Sequence, residues 1–229
     1  MADSTIQEIA QLFSHYNLLL LLEGFGTTLA LSAIGCLAGF AGGFAIAVVR
    51  ATRSRAAAPL RALAFVWCML FRRVPFLVTL MLVFFATQSL GANFSTFTVA
   101  LGSVCLIASA YLGEIVRSGL DAVHRNQWEA AQTLNFSFMQ TLRHVVMPQA
   151  SRVILPPTFA FFVMFIKDTA LASQIGVMEL TSAGKVLSNK GFSATWVYGT
   201  VLVLYFAMSY PLSRLGKRLE KNFAATRNR

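Results

Sequence analysis

The chain has 229 residues, of which 56% are hydrophobic and only 12% charged. A soluble domain carries about 25% charged residues, so this chain lacks the polar surface to stay in solution. The formal charge of +10 is the one feature that points toward nucleic acid, and the placement of that charge along the chain argues against it.

In chain order, residues 1–24 are expected to form an interfacial helix, with partial insertion as the other reading, and they carry no basic region or cleavage site of a removable leader. A helix needs roughly 20 apolar residues to cross the hydrocarbon core. Four segments qualify, 25–49, 74–89, 97–116 and 154–175, the second being short unless Arg72 and Arg73 snorkel from its end, and a fifth, 196–212, is somewhat short but strongly apolar. The stretch 60–70 is too brief to span, so it is expected to lie along the interface or to extend the second helix. Between the third and fourth spans, 127–134 is expected to be a helix with Glu129 in its first turn. Asn135 suits a left-handed ending, and Ser137 can cap a second helix that Pro148 is expected to interrupt. Cys36, Cys68 and Cys105 lie in apolar stretches without metal-ligand spacing and read as small buried hydrophobes.

No Lys or Arg precedes Arg50, and 16 of the 19 basic residues fall on one side of a five-span arrangement. Basic residues mark the cytoplasmic face, so the expected topology is N-terminus out and C-terminus in. Nucleic-acid binding loses its main support. The expected organisation is an N-terminal segment 1–24, a membrane domain 25–215 with a cytoplasmic loop at about 121–152, and a basic tail 216–229.

The segment EAAQTLNFSFMQTLRHVVMPQASRVILPP, beginning at Glu129, Ala130 and Ala131, resembles the EAA loop of ABC-importer permeases. Asn135 stands where that family usually has Gly, and Pro148 and Pro156 fill the distal positions. GFGTTLALSAIG at 24–35, FRRVPFLVTLMLVFF at 71–85, SAYLGEIVRSGL at 109–120 and FIKDTALASQIGVMEL at 165–180 are similar to the polar amino acid subgroup, the histidine and glutamine permease-like family. The resemblance implies an all-α type I importer transmembrane domain of about five spans in the bacterial inner membrane. It implies a second permease subunit, a cytoplasmic ATPase dimer carrying ATP and Mg, a periplasmic solute-binding protein and an amino-acid substrate. Glu129, Ala130, Ala131 and Asn135 are the expected coupling residues. An opine or compatible solute is the alternative cargo, and a stand-alone carrier or intramembrane enzyme the alternative class.

Ionisable residues inside spans are costly and mark paths or pairs. Lys167 and Asp168, counted from residue 154, fall past the midplane; either Lys167 ties down backbone carbonyls or a partner subunit while Asp168 caps a broken helix, or the two with Thr169 are candidates for the solute path. Glu114 and Arg117 suit an intrahelical pair, with Glu114 as a solute-path candidate the other reading, and Arg73 suits either a solute carboxylate or snorkelling to the interface. No P-loop is present, because Gly184–Lys185 is followed by Val186. No catalytic or metal set is expected in this chain.

Overall fold

The computed structural model describes residues 2–52 and 54–227, so Arg53 and Arg229 of the basic set lie outside the described residues. These residues are helical, with no strand among them. Helix α1 is Ala2–Leu12, α2 His15–Ala51, α3 Ala58–Phe71, α4 Phe76–Ser89, α5 Thr96–Asp121, α6 Arg125–Thr133 and α7 Phe138–Thr141. After a π-helical turn, Leu142–Val146, come α8 Met147–Asp168, a 3-10 stretch Thr169–Ile175, α9 Leu180–Asn189 and α10 Ala194–Arg227.

Three runs are long and apolar enough to cross a membrane, namely α2, α5 and Phe138–Ile175, and α3 with α4 qualify together as a broken span. The expected fifth span, 196–212, lies inside α10, where tyrosines and Pro211 dilute the apolar run. Several expected boundaries move. Residues 15–24 are the beginning of α2, a 37-residue helix about 55 Å long, because nothing between Tyr16 and Phe25 interrupts helix formation. The stretch 60–70 is a helix of its own, separated from α4 by the non-helical segment ending at Pro75. The basic tail continues α10 as helix to Arg227.

The largest correction is at Pro148, which does not stop the chain. The π turn shifts the hydrogen-bond pattern, so that Met147 N–H donates to the Leu142 carbonyl five residues back. Pro148, which has no N–H to give, then sits in the first turn of α8, where none is required. The helical run therefore begins at residue 138, and counting from residue 154 does not measure how deep Lys167 and Asp168 lie.

The chain divides into two units, each assembled from three separated segments. One comprises Met1–Gly35, Phe76–Val104 and Met164–Pro211. Its core gathers Leu31, Leu80, Val99, Ala100, Ala172 and Ile175. Glu179 is wholly buried there and caps α9, accepting from Ser182 N–H at 2.7 Å and Thr181 N–H at 2.9 Å. The Tyr205 hydroxyl donates to the same carboxylate at 2.9 Å, which joins α10 to the cap. Burial pushes the Glu179 carboxyl above the usual range, opposed by these hydrogen bonds. Glu179 thereby ties together the start of α9 and α10.

The other unit comprises Cys36–Pro75, Cys105–Val163 and Leu212–Arg229. Ala47, Val116, Leu120, Leu142, Val146 and Ile154 form its core, with Trp128 of α6 packed against them. Here α2 and α5 cross closely: a Cβ added at Gly43 would lie 2.6 Å from Gly113 N and 2.8 Å from the Ser109 carbonyl. Only a residue without a side chain permits that approach.

Candidate functional site

The first candidate is the corner made by α6 and α7. The His124 side chain caps α6, with Nδ1 accepting from Asn126 N–H at 3.3 Å. The helix therefore starts two residues before the expected position, and Glu129 lies in its second turn. Glu129 is paired with Arg125 at 2.7 Å, both side chains being largely exposed, a surface contact of little stabilising value. At the C-terminal end Asn135 has φ 57°, the left-handed conformation its position called for. Asn135 N–H donates to the Gln132 carbonyl at 2.9 Å and Phe136 N–H to the Ala131 carbonyl at 3.1 Å, completing a Schellman ending. Ser137 caps α7 in a reciprocal box with Gln140. The end roles read for Asn135 and Ser137 are both present.

The expected Ala130–Ala131 face is divided. Ala130 is exposed, whereas Ala131 is 2% exposed. Consecutive helical positions diverge by about 100°, so one small residue faces inward when the next faces out. A bulky probe at Ala131 would damage this chain's own packing, and Ala130 is the position that tests an outside contact. Trp128 and Phe138 stack on each other at 6.1 Å, which fixes the angle of the corner. Leu134 and Met139 remain 69% and 58% exposed, so the corner carries apolar side chains on its outer side.

The second candidate surrounds Glu114. Arg117 Nε donates to Glu114 Oε1 at 2.8 Å, as the spacing suggested. Arg50 Nη1 donates to Glu114 Oε2 at 2.7 Å, and Arg72 Nη1 is 3.5 Å from the same oxygen. Arg117 also pairs with Asp121. One carboxylate thus holds guanidinium groups from three separate helices or helix ends. The Arg72 carbonyl accepts from the Tyr111 hydroxyl at 3.1 Å, and the Trp67 indole donates to Ser109 Oγ at 3.0 Å. Arg50, Arg72, Tyr111, Glu114 and Arg117 line a cavity of about 700 Å³ that also admits Arg73. Arg50 and Arg72 were not legible as partners of Glu114, because sequence separation of this size carries no geometric signal. In the sequence both count among the basic residues on one side of the five-span arrangement.

The third candidate, Lys167 to Thr169, lies at the α8 terminus in the other unit. Lys167 is exposed and Asp168 is half-buried where the α-helix tightens into 3-10 geometry. The Asp168 carboxylate does not cap that turn. Thr169 is wholly buried and its hydroxyl donates to the Ile166 carbonyl at 2.7 Å, so it packs inside the protein and is not free to bind solute. Among the described residues no group of His, Cys, Asp and Glu could hold a metal ion.

Comparison with known proteins places this geometry. The family described as binding-protein-dependent transport system inner membrane component matches residues 39–224. A probable amino-acid ABC transporter permease protein of Bacillus subtilis (strain 168), YckA, is 34% identical over 203 residues, covering 89% of this chain and 88% of that one. The glutamine transport system permease protein GlnP of Escherichia coli (strain K12) is 31% identical, covering 88% and 92%. Among solved structures, an amino acid ABC transporter with histidines superposes with a TM-score of 0.80 at 28% identity, over 89% of this chain and 94% of that one. A chain of the MetNI methionine ABC transporter in an inward-facing conformation shares the fold, with a TM-score of 0.78 at 24% identity, over 92% and 99%.

Proposed function

The chain belongs to the binding-protein-dependent transport system inner membrane components, and from that premise we propose that it forms the path of a polar amino acid through an ABC importer and couples that path to ATP hydrolysis elsewhere. It is a membrane-spanning permease subunit, a transport component. Relatives named for amino acids and glutamine, and a structural neighbour holding histidines, support the cargo class. The proposed assembly contains a second permease chain, a cytoplasmic ATPase dimer that binds ATP and Mg, and a solute-binding protein outside. The N-terminus lies outside and the C-terminus inside, which puts the basic residues in the cytoplasm.

The observation that carries the coupling role is the α6–α7 corner. It presents Ala130, Leu134, Phe136 and Met139 outward while Trp128, Leu142 and Val146 anchor it to the core. The corner joins α8 through an unbroken helical run. A push from an ATPase groove would reach the spans as movement of a body. Ala130→Trp is expected to abolish uptake and to lower co-purification of ATPase subunits roughly tenfold or more, the loss of a small central contact being worth about 1–2 kcal/mol. The amount of permease in the membrane should stay near wild type. Undiminished uptake with wild-type ATPase stoichiometry would remove the corner from the coupling path.

Asp168 is the proposed solute contact, because its half-buried carboxylate has no hydrogen bond among the described residues. An amino-acid ammonium supplies the partner such a carboxylate needs. Asp168→Asn keeps the volume and removes the charge. Uptake normalised to assembled complex is expected to fall roughly tenfold or more, in line with about 1.5–3 kcal/mol for a charged hydrogen bond. Unchanged normalised uptake would assign Asp168 a purely structural role.

A further inference from the structure

The cavity around Glu114 carries a charge imbalance that the internal pairing leaves unresolved. Arg50, Arg72, Arg73 and Arg117 line it against a single lining carboxylate, Glu114. Among the described residues Asp121 engages only Arg117. Arg73 has no partner among the described residues, and the Arg72 side chain is 42% exposed. Arg72 also lies 5.9 Å from the Tyr111 ring centre, which holds its planar head at the cavity wall. Excess guanidinium groups in one recess attract an oxyanion, and their fork geometry matches phosphate and carboxylate alike.

The rest of the lining decides between the two. Phe65 and Met69 of α3 enter the same cavity, and they are 53% and 41% exposed. Leu63, Val66 and Leu70 on the same helix are also exposed, so α3 is an apolar rod ending in two arginines. A free amino acid would use the arginines and leave the apolar wall empty. A phospholipid uses both, with its phosphate among the guanidinium groups and an acyl chain beside Phe65 and Met69. We propose that this cavity is a binding site for an anionic phospholipid, with Arg72 and Arg73 as its principal phosphate contacts. The lipid would supply the negative charge that Glu114 alone cannot, and would seat the end of α3 in the membrane. The proposal depends on the chain spanning a membrane but not on which solute it carries.

The test is native mass spectrometry of the intact complex released from vesicles of equal phosphatidylglycerol and phosphatidylethanolamine. Wild type is expected to retain phosphatidylglycerol in preference to phosphatidylethanolamine. Arg73→Gln, an exposed change that leaves every internal bond in place, should reduce that retention about fivefold, at about 1 kcal/mol per arginine. Arg72→Gln with Arg73→Gln should reduce it about twentyfold or more, while Arg152→Gln, an exposed arginine outside the cavity, should not change it. Equal retention of both lipids, or wild-type retention in the double variant, would overturn the proposal. Displacement of phosphatidylglycerol by millimolar polar amino acids, lost in the double variant, would also overturn it and identify the oxyanion as a solute carboxylate.

Discussion

Gly43→Leu is expected to eliminate the folded permease. At this point α2 and α5 approach so closely that the first atom of any side chain meets backbone. An added Cβ would stand 2.6 Å from Gly113 N and 2.8 Å from the Ser109 carbonyl. Neither of those can rotate away as a long side chain could, so the helices themselves must separate. Overpacking of this kind costs about 1–3 kcal/mol even for small additions. Alanine should therefore lower the thermal midpoint of the solubilised complex measurably, and leucine should leave no monodisperse complex. Gly26 is the control, since a Cβ there meets nothing within 4 Å. Gly26→Ala should be neutral or stabilising by about 1 kcal/mol through helix propensity. Size-exclusion profiles of the three variants decide the matter, and a wild-type profile for Gly43→Leu would refute the crossing.

Glu114→Gln should be nearly as damaging, for electrostatic reasons. The carboxylate is the acceptor shared by Arg50 and Arg117, and the Arg50 side chain is only 13% exposed. The amide keeps the shape but leaves guanidinium groups facing one another without a counter-charge. Breaking a buried pair costs about 3–5 kcal/mol, and partial solvent access to Glu114 reduces this to about 2 kcal/mol. The thermal midpoint of the complex reports the loss. Arg50→Gln added to Glu114→Gln should recover part of it, giving a coupling of about 1 kcal/mol or more in a double-mutant cycle. Strict additivity would mean that the two residues do not act as a pair.

Local chemistry accounts for what could be read before the fold was known. Ser137 and Asn135 are short-range signals, set by residues within one turn, and the structure contains both. The apolar runs were likewise legible because spanning requires length. Ala131 illustrates the limit. Its residue type suits a small-faced contact, but which side of α6 faces inward depends on Trp128 and the core of the unit, and a nine-residue helix has too little apolar pattern to reveal this. Arg50 shows the same limit at long range. Its partner Glu114 lies on another helix, and only the α2–α5 crossing brings them together. Pro148 was misread because proline is compatible with a helix wherever the donor it lacks is not required.

The turn that accommodates Pro148 also protects an angle. Leu142–Val146 winds with one residue more per hydrogen-bonded ring than the helices on either side of it. Each residue in an α-helix advances the chain by about 100°, so a residue added while the winding stayed α-helical would swing everything before it around the axis of α8 by that much. The wider π ring takes up the extra residue within its own turn and spares the α6–α7 corner that rotation. Deleting one residue between 142 and 146 would turn the π turn into plain helix and leave the corner close to its present heading. In this protein the heading of the corner survives an odd residue because the ring around it is wider.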